Sequence, residues 1–91
     1  MSRVERKYDF FETPRFRRAL KKSSLNEFEA EIVVSSILYF CTSLDKSIYN
    51  PIEIEGGVVF YEFDIPIMSR NFRIVFEVDG IDAYALDFQE V

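Results

Sequence analysis

The stretch Asn71-Phe72-Arg73-Ile74-Val75-Phe76-Glu77-Val78-Asp79-Gly80-Ile81-Asp82-Ala83-Tyr84-Ala85-Leu86-Asp87-Phe88 decides the fold. Two runs of alternating apolar and polar residues flank an Asp-Gly dipeptide, the pattern of two antiparallel strands joined by a two-residue type I′ turn. The turn sets a register with Val78 opposite Ile81, Phe76 opposite Ala83, Ile74 opposite Ala85 and Arg73 opposite Leu86. Side chains alternate with a period of two, so Phe72, Ile74, Phe76, Val78, Ile81, Ala83 and Ala85 share one apolar face. Arg73, Val75, Glu77, Tyr84, Leu86 and Phe88 share the other. The first face requires a cover, and the second, which is mixed, is where a ligand or partner is expected.

Working towards the N-terminus, residues 58–65 read as a further strand and residues 66–71 as a turn. Residues 47–57 read as a connector, with Asn50-Pro51 and Gly56-Gly57 as turns around an extended Ile52-Glu53-Ile54-Glu55. The cover comes from two helices. Thr13-Pro14 ends a strand over residues 6–12 and starts a helix, with Thr as N-cap and Pro at the first helical position. In that helix, residues 14–22, Phe16, Ala19 and Leu20 form an apolar stripe and Arg15, Arg17, Arg18, Lys21 and Lys22 occupy the rest. Ser24-Leu25-Asn26-Glu27 matches a capping box and predicts a second helix running to about Asp45. Its apolar positions are Phe28, Ile32, Leu38 or Tyr39, and Leu44. The expected fold is α+β: one domain over residues 1–91, with an antiparallel sheet of about four strands and a two-helix hairpin packed on one face.

Composition narrows the chemistry. The 91 residues are 48% hydrophobic, with ten Phe and five Tyr, enough for one modest aromatic core. With no His and a single Cys, the chain cannot supply a Ser-His-Asp or Cys-His pair or any common zinc set. Neither a metal nor a cofactor is expected. Cys41 rules out an internal disulfide and reads as core packing on an apolar helix face. The opening residues do not resemble a signal peptide, and no apolar run reaches the length of a membrane helix, so a cytoplasmic protein is expected. Residues 1–22 hold eight bases against three acids, a net of +5, whereas residues 23–91 hold three bases against thirteen acids, a net of −10. Such a division either steers a charged partner to one face or is neutralised by ion pairs within the fold.

Two phrases carry a family resemblance. Phe11-Glu12-Thr13-Pro14-Arg15-Phe16-Arg17-Arg18-Ala19-Leu20-Lys21-Lys22 is a strand running into a basic helix anchored by Phe and Leu. Asn71-Phe72-Arg73-Ile74-Val75-Phe76-Glu77-Val78-Asp79-Gly80 is an aromatic-Arg-aliphatic strand entering a final hairpin. Together with the element order, they resemble the RelE/ParE superfamily, the toxins of bacterial toxin-antitoxin modules. The resemblance implies an antitoxin partner with an acidic tail, for which Arg15, Arg17, Arg18, Lys21 and Lys22 are the candidate contacts. It also implies a cellular target, either gyrase-like or the ribosome.

In the ribonuclease branch, RNA cleavage requires a base, an acid and cations for the charge developing on phosphorus. Arg73 matches the family's strand arginine, and Tyr84, diagonal to it across the hairpin, is the second catalytic candidate. Where that branch places Lys or Arg on the preceding strand, this chain has Tyr61-Glu62-Phe63-Asp64, and Phe88-Gln89-Glu90-Val91 brings none of the usual further bases. A sheet carrying Glu62, Asp64, Glu77, Asp79, Asp82 and Asp87 repels phosphates, so direct nucleic-acid binding is not expected. The expected function is therefore that of a toxin-like component acting through protein binding. The alternatives are a ribosome-dependent mRNA endoribonuclease and a non-toxic interaction module.

Each candidate also has a purely structural role open to it. Arg73 can pair with Glu62 or Asp64, Tyr84 can half-cover the sheet, and the basic helix face can simply be solvated. Glu53, Glu55, Glu62 and Asp64 lack the spacing of a calcium loop and read as solvated.

Overall fold

The computed structural model describes residues 8–43, 47–54 and 56–91. Strand β1 (Asp9–Glu12) ends at Thr13, and helix α1 (Pro14–Lys22) begins at the proline. The Thr13 hydroxyl accepts from the Phe16 amide at 3.2 Å and donates to the Ala85 carbonyl at 2.7 Å. One side chain thus caps the helix and ties it to the last strand. Phe16 is buried, Ala19 and Leu20 pack against the core, and the bases lie outside, as the apolar stripe predicts. Of the strand expected over residues 6–12, Arg6 and Lys7 lie outside the described residues, as do Leu44 and Asp45 at the expected end of the second helix.

Helix α2 (Glu27–Thr42) is capped two residues later than the sequence suggests. Ser24 has φ of 58° and belongs to the interhelical turn. Asn26 is the cap, its side chain accepting from the Glu29 amide at 2.8 Å while Glu29 Oε1 accepts from the Asn26 amide at 3.0 Å. The buried face also differs from the expected one. Val33, Ile37, Phe40 and Cys41 face the sheet, whereas Phe28, Leu38 and Tyr39 are exposed. The helix carries apolar residues around most of its circumference, so periodicity alone does not select the inner side.

After a single 3-10 turn, Ser47–Tyr49, come β2 (Pro51–Ile54), β3 (Val58–Ile67), β4 (Arg70–Asp79) and β5 (Asp82–Glu90), in a sheet of order β1-β5-β4-β3-β2. The structure is α+β with five strands where about four were expected. The connector segment Ile52-Glu53-Ile54 supplies the extra one by pairing with β3. The sheet is mixed, because β1 runs parallel to β5 while the other pairs are antiparallel. The turn expected over residues 66–71 shrinks to Met68-Ser69, as Ile67 pairs with Arg70.

The β4–β5 turn is centred one residue later than Asp79-Gly80. Asp79 pairs with Asp82, and the loop is Gly80-Ile81, with φ of +65° at Gly80 and no positive φ at Ile81. Glycine first with only its own φ positive is the type II′ pattern. Between the turn and Ala85 the pairing therefore slips by two, placing Val78 opposite Ala83 and Phe76 opposite Ala85. A slip of two preserves the faces. Only Ile81, now in the turn and 64% exposed, leaves the apolar set. Beyond Ala85 the register jumps so that Val75 faces Asp87, which leaves Leu86 as the extra residue of a β-bulge. The jump turns Phe88 onto the apolar face opposite Ile74, contrary to its expected side, and it is buried.

The core between helices and sheet is aromatic. Phe40 stacks on Phe76 with centroids 4.7 Å apart and meets Tyr49 and Tyr61 edge-on at 4.9 and 5.2 Å. Phe72 stacks on Phe88 at 4.9 Å, and Phe16 meets Phe88 and Phe10 edge-on. Cys41 is fully buried within this core, as its sequence position suggested. No helix among the described residues is long and apolar enough to cross a membrane.

Candidate functional site

Both helices lie on one side, so the opposite face of the sheet is open, and the register orders it into rows. One row runs Ile54, Val58, Asp79, Asp82, Asp9. The next runs Ile52, Phe60, Glu77, Tyr84, Phe11, and the Phe11 and Tyr84 rings stack with centroids 5.3 Å apart. Glu62 and Val75 follow, and then Asp64, Arg73 and Gln89.

Arg73 donates from Nε to Asp64 Oδ1 at 2.9 Å and lies 3.4 Å from Glu62 Oε1. Asn71 adds a bond to Asp64 at 3.4 Å. The hydrogen bond from Arg73 holds the Asp64 carboxyl below its ordinary 3.8, and the same pair raises the Arg73 guanidinium. Among the described residues Arg73 is the one cation on this face of the sheet, and two carboxylates hold it. Its charge is spent within the protein. Tyr84 sits opposite Glu77, two rows from Arg73, because the slipped register removes the diagonal contact expected of the pair. Partial dehydration on the sheet raises the Tyr84 hydroxyl above 10, and the fields of Asp82, Asp79 and Glu77 push it the same way. The structure therefore does not bring the two catalytic candidates together, and it surrounds each with negative charge.

The basic helix divides in two. Arg15 pairs with Asp87 at 3.4 Å and Arg17 with Glu12 at 3.2 Å, both at exposed positions. Arg18, Lys21 and Lys22 make no ion pair among the described residues. The sequence's charge division is thus only partly neutralised inside the fold. No group of three or more Cys, Asp or Glu among the described residues is placed to hold a metal ion.

A feature not anticipated as a site lies between α2 and β3. Phe28, Ile32 and Tyr39 from the helix, with Tyr49, Phe63 and Pro66, line a groove of about 560 Å³. Phe28 and Tyr39 are 64% and 62% exposed. The signal was present in the sequence: an α2 apolar on opposite sides can bury only one of them. Comparison with family models, with curated proteins and with solved structures found no match for this chain.

Proposed function

We propose that the chain works by binding another protein, as a toxin-like component of a toxin-antitoxin pair, and not by cleaving RNA. The observation that carries this reading is the uncovered apolar side of α2 and the groove it forms with β3, since large exposed aromatics around a concavity mark interaction sites. The occupant is an antitoxin-like segment that places apolar side chains in the groove and acidic ones against Arg18, Lys21 and Lys22. The Arg73 pairing supports the non-catalytic choice, because a phosphate-stabilising arginine would first have to leave two carboxylates.

Expression in bacteria without a partner tests the proposal. The wild type should slow growth, and co-expression of the neighbouring gene product should restore it. Phe28→Glu with Tyr39→Glu, both at exposed positions, should leave the fold intact and weaken partner binding about tenfold or more. Arg73→Ala should leave the growth effect unchanged. Harmless overexpression of folded wild type would remove the toxin assignment. Ribosome-bound mRNA cut by the wild type but not by Arg73→Ala would replace binding with catalysis.

A further inference from the structure

We propose that the open face of the sheet is a second docking surface, shaped for a protein surface rich in Arg and Lys with apolar groups between them. This goes beyond the groove reading and stands on different residues.

Asp9, Asp82 and Asp79 lie side by side on three neighbouring strands, and Glu77 is two residues from Asp79 on the same side of β4. None of the four makes an ion pair among the described residues. Like charges directly opposite on paired strands destabilise a sheet. In the free protein this row therefore costs folding energy, and an incoming set of cations would relieve it. Asp9, Asp82 and Asp79 are spread along the row, one per strand, and with Glu77 they do not converge as metal ligands do. Such spacing suits several separate cations better than one ion.

Apolar side chains border the acids on two sides. Ile52, Ile54, Val58 and Phe60 lie on the β2 side, and the stacked Phe11–Tyr84 pair occupies the neighbouring row beside Asp9 and Asp82. Ile52 and Ile54 are well exposed and Phe11 is 44% exposed. A flat face with a charged middle and apolar flanks can exclude water around its ion pairs, which exposed pairs on a convex surface cannot do. Charge complementarity identifies the partner as cationic and excludes nucleic acid.

The test uses the full chain and a fluorescent synthetic peptide in which Arg alternates with Leu and Tyr. Two triple variants carry the same change in net charge. Asp9→Asn, Asp79→Asn and Asp82→Asn neutralise the row, whereas Glu27→Gln, Glu31→Gln and Glu53→Gln neutralise acids off the face. The first should weaken binding about tenfold and flatten its salt dependence, while the second should change binding only about twofold. The first should also raise the thermal midpoint, since it removes cross-strand repulsion, which keeps the binding result interpretable. Equal weakening by the two triples would reduce the attraction to net charge and overturn the proposal, as would wild-type affinity in the first. Low-salt self-association of the wild type, abolished by Lys21→Glu with Lys22→Glu, would assign the face to α1 of a second copy and also overturn it. Neither result would bear on the α2–β3 groove, whose aromatic residues are untouched.

Discussion

Arg73 and Asp64 are directly paired across the β3–β4 ladder, with Arg73 Nε 2.9 Å from Asp64 Oδ1. The strand arginine that suggested phosphate chemistry is thereby the electrostatic anchor of an otherwise acidic sheet face. Both side chains remain more than one third exposed, so the pair is screened by solvent.

The pairing predicts a pH signature. Because the folded Asp64 carboxyl titrates below 3.8, its contribution to stability is present above that value and is lost as pH falls through the depressed folded value. In Arg73→Ala the contribution is absent at every pH. Urea midpoints of wild type and variant should therefore differ modestly near neutrality and converge in strong acid. The Asp64 carboxyl resonance should titrate at higher pH in the variant. An unchanged Asp64 titration would show that the ion pair does not form in solution.

Tyr8 gives the opposite end of the pH scale. Burial, followed by its hydrogen bond with Tyr61, pushes the Tyr8 hydroxyl up to about 12. A phenol that ionises later when folded contributes stability that is full below the unfolded value of 10 and is lost as pH rises through 12. The wild type should lose stability between about pH 10 and 12, and Tyr8→Phe should lose less. Tyr49 and Tyr84 are raised too, so tyrosinate absorbance should show several late-titrating groups in the wild type and one fewer in the variant.

Phe40 is the junction of the core, fully buried and in ring contact with Tyr8, Tyr49, Tyr61, Phe63 and Phe76. Phe40→Ala should cost about 3–5 kcal/mol in chemical denaturation. A domain of this size has roughly 5–14 kcal/mol in total, so the variant should be close to unfolding at 37 °C. A loss below about 1 kcal/mol would mean that the neighbouring rings collapse into the space, contrary to the close packing seen here.

What the sequence disclosed follows from where its signals are local. Thr13-Pro14 marked the start of α1 because cap and proline act on adjacent atoms, and the alternation on β4 sorted its faces because a strand's period is fixed. The connector was legible as extended over residues 52–55, but its place in the sheet was hidden because its four strand residues, all exposed, find their partner only in β3. The parallel β1–β5 pair was hidden for the same reason, since nothing in either strand names its neighbour. The pairing of Arg73 with nearby acids was readable from alternation, whereas the Arg73–Tyr84 contact depended on a register that the turn displaced by two. The α2 groove was missed because Phe28 and Tyr39 were assigned inward on a helix whose two sides are both apolar.

The α2 cap distinguishes two readings of one short stretch. Asn26→Ala removes the acceptor of the Glu29 amide, leaving only the bond from the residue-26 amide to the Glu29 side chain, and should cost about 1 kcal/mol, while Ser24→Ala, outside the helix, should cost far less. The comparison is made on urea midpoints of the two single variants. A larger effect at Ser24 would move the start of the helix back to the position the sequence first suggested.

The bulge at Leu86 makes the sharpest structural prediction. Phe88 is buried opposite Ile74 only because Leu86 adds one residue to β5 between Ala85 and Asp87. Deleting Leu86 removes the extra residue and leaves Ala85 opposite Phe76, Asp87 opposite Val75 and Phe88 opposite Ile74 in an unbroken ladder. Alternation then keeps Asp87 outward and Phe88 in the core. The deletion should therefore fold and retain hydrogen-exchange protection at Phe88 and Glu90, whereas Phe88→Ala, which empties the same site, should cost about 3–5 kcal/mol. If the deletion lost protection at Phe88 as Phe88→Ala does, Leu86 would not be the extra residue of the bulge.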